Sequence, residues 1–155
     1  MKKRILVCLG IFLLGIAGSA YSASGDDVLG LWYTEENESK VEIVRNNGEY
    51  LGKIVWLDEA VYPADDPDAG KAKYDRNNPD EELRIRPLLG LQIVWGFTYD
   101  NKDNKWVKGR IYDPESGKTY NCTMWLDEVG NLHVKGSLDK WGVVGRTTVW
   151  TRAEE

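Results

Sequence analysis

The chain has 155 residues, a formal net charge of −5, one histidine and two cysteines. That length suits one domain able to bury its own core. The acidic balance argues against nucleic acid, or an anionic membrane surface, being held through overall charge. One histidine cannot build a closed transition-metal site, so no metal and no cofactor is expected.

The first segment has the layout of a secretory leader. Lys2, Lys3 and Arg4 precede thirteen apolar residues from Ile5 to Ala17, and small residues follow from Gly18 to Ser24. A membrane-spanning helix needs about 20 such residues. No second apolar run of that kind occurs, so the mature protein is expected to have no membrane span. Cleavage after Ala20, Ser22 or Ala23 suits the small residues, and Ser22 places Ala20 at the −3 position. This divides the chain into a signal peptide, 1–22, and a single β-barrel domain, 23–155, exported to the periplasm or beyond the cell. An uncleaved N-terminal anchor is the alternative. Cleavage removes three positive charges and no acids, leaving −8. Cys122 is then the lone cysteine, which rules out an internal disulfide and reads as a buried, inert thiol.

After the leader, short runs rich in Val, Ile, Thr, Tyr and Trp alternate with turn signals. The runs are Val28–Thr34, Lys40–Arg45, Tyr50–Leu57, Gly90–Tyr99, Lys105–Asp113, Lys118–Leu126, Asn131–Leu138 and Val144–Arg152. Asn46-Asn47-Gly48 and the Pro- and Gly-bearing Asp113–Gly117 segment are tight-turn sequences. Asp127–Gly130 and Asp100–Asn104 are polar tips. Along the strands Leu91, Ile93, Trp95 and Phe97 share one face, as do Tyr120, Cys122, Met124 and Leu126. Leu132, Val134 and Leu138 oppose His133 and Lys135. One apolar face per strand suits a sheet buried on one side, and eight strands can close without edges.

The segment Asp58–Leu89 interrupts this pattern. It is too long for a hairpin loop and carries Asp65, Asp66, Asp68, Asp75 and Asp80. Those oxygens suit calcium chemically, but the spacing is not that of an EF-hand, and local capping by Asp and Asn is the better reading.

Gly30-Leu31-Trp32 opens the first strand. The run Asp75–Asp80 leads into Leu83-Arg84-Ile85-Arg86-Pro87-Leu88-Leu89-Gly90. Gly109–Pro114, Gly117–Tyr120 and a closing Gly145–Arg152 follow. Together these resemble a family of small secreted bacterial proteins classed as a domain of unknown function. The resemblance covers nearly the whole mature chain. It implies an all-β fold, an eight-stranded antiparallel up-and-down barrel of lipocalin-like form, and suggests ligand binding. The Gly-x-Trp is also similar to the opening signature of lipocalins, where an arginine of the last strand covers the tryptophan. Trp32 and Arg152 match those positions, although the usual lipocalin disulfide is missing.

No catalytic constellation is readable. Cys122 and His133 differ in strand parity, and no nucleophile elbow or phosphate-cradling loop occurs. Candidate ligand-binding residues come instead from aromatic and guanidinium side chains. Trp56 and Trp95 offer apolar walls, and Tyr112, Tyr120, Arg110 and Arg146 offer polar groups. Arg84 and Arg86, two residues apart in an extended segment, would project together and clamp an anion. An internal salt bridge to Asp80 or Glu82 competes with that role and is favoured over it.

The expectation is a non-enzymatic exported carrier of a small hydrophobic or amphipathic, lipid-like molecule, with an arginine meeting any anionic head group. An envelope interaction module with a filled barrel is the alternative. An enzyme acting on an envelope polymer through paired carboxylates is the third.

Overall fold

A computed structural model describes residues 24–139 and 141–154. The expected signal peptide lies outside the described residues. The strands are β1 (Gly30–Tyr33), β2 (Ser39–Asn46), β3 (Glu49–Leu57), β4 (Gln92–Asp100), β5 (Lys105–Asp113), β6 (Lys118–Leu126), β7 (Leu132–Ser137) and β8 (Gly145–Arg152). Each pairs antiparallel with the next, and β8 returns to β1 through Trp32 opposite Arg152, closing the barrel. Every expected strand is present.

One end of the barrel is filled. Val28, Trp32, Phe97, Trp106, Met124 and Leu132 are all fully buried. The turn Gly25–Val28 plugs this end, because both buried indoles need acceptors. Trp32 Nε1 donates to the Val28 carbonyl at 2.8 Å, and Trp106 Nε1 donates to that of Gly25 at 3.0 Å. Arg152 covers Trp32 with its guanidinium 3.9 Å from the ring centre, as the resemblance implied. The same guanidinium donates to the carbonyls of Asp27 and Leu29.

Four register shifts decide which side chains of β3, β4 and β5 face inward. Gly52 pairs with Val94 but Lys53 pairs with Gln92, so β4 carries a bulge and the consecutive residues Ile93 and Val94 are both buried. A second shift follows before Phe97, at Gly96, whose φ is +73°. Trp95 therefore does not share the face of Ile93 and Phe97. In β3, Lys40 opposes Trp56 while Val41 opposes Ile54. That shift turns Trp56 outward, where it meets the edge of Tyr33 with ring centres 6.0 Å apart. In β5, Lys108 at φ +65° resets the alternation so that Gly109 faces inward.

The segment after β3 is ordered as a strap across the outer wall of β4–β6. Bridges at Val61–Ala72 and Tyr74–Pro87 fold it back on itself. Asn77 donates to the Glu115 carbonyl at 2.8 Å. Gly117 is required beneath it, since a Cβ there would lie 1.9 Å from the Asn77 carbonyl oxygen, at a φ of +67°.

Candidate functional site

The end opposite the plug is hollow. A cavity of about 1090 Å³ opens there, walled by Ile54, Ile93, Ile111, Val134 and Trp150, with Tyr120 among them. Thr148 and the backbone of Gly136 complete the wall. The lining follows from the pairing register. Ile111 opposes Tyr120, Gly136 opposes Arg146, Val134 opposes Thr148 and Leu132 opposes Trp150, so alternate residues of β5 to β8 look inward. The filled half supplies the floor.

The rim is charged. Arg146 bonds to Glu35 across the gap between β8 and the loop after β1. Lys73 meets Glu59 at 3.2 Å. Arg76 donates two hydrogen bonds to Asp66 at 3.0 and 2.9 Å, which holds that carboxyl below the usual range. Tyr62, with Arg76 stacked 4.2 Å from its ring centre, leans over the mouth from the strap.

The sequence-derived candidates separate into three groups. Tyr120 and Arg146 line the cavity. Arg86, Trp95 and Tyr112 meet in a second, shallower hollow of about 470 Å³ between the strap and the outer wall, beside Gln92 and Thr119. Tyr112 also borders the main cavity. Trp56, Arg84 and Arg110 line neither. Arg110 is exposed on β5, opposite Trp95 and Asn121 on the neighbouring strands.

Arg84 and Arg86 do not project together as a clamp, and the salt-bridge reading favoured over it is the nearer one. Arg84 ends a single helical turn, Glu81–Leu83, rather than lying in an extended segment. Its Nε donates to the Asn78 carbonyl at 2.7 Å and its Nη1 to Glu81 at 3.2 Å. Arg86 turns the other way and donates through Nε and Nη2 to Asp75 at 3.0 and 2.8 Å. The internal salt bridge thus exists, with Asp75 rather than Asp80 or Glu82 as its acid.

Asp75 is fully buried and also accepts from the Tyr112 hydroxyl at 2.5 Å and from Asn78 at 2.8 Å. Burial first, and then this acceptor, push the Tyr112 phenol up to about 12. Asp68 accepts from Lys71 and Tyr74, and Asp80 caps the backbone of Glu82. These strap acids hold structure in place, and among the described residues no acidic, histidine or cysteine cluster is arranged to hold a metal.

Cys122 is buried inside the wall, and burial pushes its thiol up to about 12. His133 sits on the other face, stacked on Trp125 and 3.1 Å from Asp127. The two are not partners, as strand parity indicated.

Sequence reasoning missed Ile93, Gly136 and Thr148 as cavity lining. The alternation Arg146, Thr148, Trp150 was the available signal on β8. Ile93 lies on the apolar face its alternation with Leu91 indicates, and the bulge that no residue pattern announces buries Val94 beside it.

A closed eight-stranded antiparallel barrel, plugged at one end and hollow at the other, is a lipocalin-like barrel, an architecture suited to small ligands. Within that class, the chain belongs to the bacterial family described as "uncharacterized protein conserved in bacteria (DUF2147)", whose model matches residues 30–152. Among solved structures it is similar to protein HP1028 from Helicobacter pylori, described as belonging to the lipocalin family. The two share 29% identity over 82% of this chain and 83% of that one, with a TM-score of 0.67. No curated protein matches. Among the described residues, no helix is long and apolar enough to cross a membrane.

Proposed function

We propose that the protein is an exported, non-enzymatic binding protein for a small hydrophobic or amphipathic molecule held in the open end of the barrel. The observation that carries this reading is the asymmetry of the interior. The same strands that fill one end with Trp32, Phe97, Trp106 and Met124 leave about 1090 Å³ at the other. A filled interaction module has no use for that space. Aliphatic walls, Tyr120 and Trp150 would take the apolar part of the ligand. Arg146, 78% exposed at the rim and paired with Glu35, is the guanidinium placed to exchange its partner for an anionic head group. The basic and apolar layout of residues 1–22 supports export to the periplasm or beyond the cell.

The test is titration with a fluorescent fatty acid analogue. Arg146→Ala should weaken binding by about fivefold, the scale of one exposed ionic contact. Arg110→Ala should leave it unchanged, because Arg110 lies outside the cavity. Equal losses in both variants would remove the head-group assignment.

A further inference from the structure

The loop joining β7 to β8 stands on the rim of the cavity, with Leu138 and Val144 among the residues at its mouth. Its apolar side chains face solvent. Leu138 is 70% exposed, Trp141 and Val143 are each 79% exposed, and Val144 is 58% exposed. Single exposed hydrophobics are ordinary, but four within one short loop form a patch.

The loop is also built. The amides of Trp141, Val143 and Val144 all donate to the Asp139 carboxylate, at 3.0, 3.1 and 2.8 Å. The Gly142 amide donates to the Asp139 carbonyl at 3.2 Å. The four consecutive amides from Trp141 to Val144 are thereby satisfied inside the loop, so moving them out of water strands none of them.

We propose that this loop seats the open end of the barrel on the surface of a zwitterionic lipid bilayer. The patch is a loop tip, which suits insertion between head groups rather than reception of a partner. A tryptophan among aliphatic residues is the composition of a membrane interface. The net charge of −5, which becomes −8 once the three basic residues of the leader are removed, disfavours anionic lipid, so the contact is apolar. Four side chains fall far short of the roughly 800 Å² per partner of a stable protein interface, which argues against a second copy. Contact here would turn the cavity mouth toward the bilayer, letting an amphipathic molecule pass without crossing water. That last point rests on the binding reading above.

The experiment is co-sedimentation of the exported protein with phosphatidylcholine vesicles, comparing wild type with the double variant Trp141→Ser/Val143→Ser. The wild type should partition onto the vesicles, and the variant's partition coefficient should fall by about tenfold or more. The variant's thermal midpoint should not move, because both residues are exposed. Fatty acid titration without vesicles reads the cavity separately, so loss of one property leaves the other standing. Wild-type protein that stays in the supernatant at every lipid concentration overturns the proposal. So does a variant that sediments as the wild type does. Lipid-free dimerisation abolished by the variant would give the loop to a second copy and overturn it too.

Discussion

Asp75 shows how a single side chain binds the strap to the barrel. A carboxylate with no solvent contact is costly unless its lone pairs are used. Here Tyr112 from β5, and Asn78 and Arg86 from the strap, all donate to it. Removing Arg86 strands a buried charge, and Arg86→Ala should cost about 3 kcal/mol in chemical denaturation. Tyr112→Phe leaves the cation in place and should cost about 1–2 kcal/mol. The two variants also differ with pH. The Tyr112 phenol is raised in the folded state to about 12 from an ordinary 10. Its contribution is therefore full below pH 10 and lost as pH rises toward 12. Wild-type stability should fall across that window, and Tyr112→Phe should flatten the fall. An unchanged alkaline profile in the variant would place the pH dependence elsewhere.

At the scale of the strand, bulges decide what the barrel holds. Gly109 faces inward because Lys108 takes a positive φ, and the Phe97 ring occupies the space a Cβ would need, with ring carbons 2.2 and 2.3 Å from that position. Gly109→Ala should therefore destabilise by about 2–3 kcal/mol, and Phe97→Leu in the same chain should recover part of the loss. A cost below about 0.5 kcal/mol, or strictly additive costs, would contradict this packing. The eight strands and their turns were legible because Asn-Gly, Pro and Gly punctuate runs of β-formers, and because β6 and β7 keep strict alternation. The faces of β3 and β4 were not. Ile93, Trp95 and Phe97 look like regular alternation, yet two register shifts separate them. Trp56 follows the parity of Ile54 in the sequence, and the shift opposite Lys40 and Val41 turns it outward. Such shifts arise from pairing with distant strands, which no local pattern records.

The whole molecule is a barrel sealed at one end by its own N-terminal turn and left open at the other, where the strap, the loop after β1 and the β7–β8 loop gather. The candidate site was legible in part. Arg146 and Tyr120 were identified from residue type and line the cavity. Arg84 and Arg86 were misplaced as a pair because their segment turns, and Arg86 instead completes the Asp75 network. The central claim, that the open end holds a small apolar or amphipathic molecule, is tested most directly by filling it. Gly136 lines the cavity, and a Cβ there would meet nothing nearer than Ile111 at 3.5 Å, an ordinary contact distance, so a longer side chain built on it takes up the ligand's space. The measurement is native mass spectrometry of wild type and Gly136→Leu after incubation with a saturating mixture of fatty acids and phospholipids. A one-to-one adduct on the wild type, absent from the folded Gly136→Leu protein, is the predicted result. Wild-type protein that takes up none of these molecules, or an adduct that persists unchanged in the variant, would contradict it.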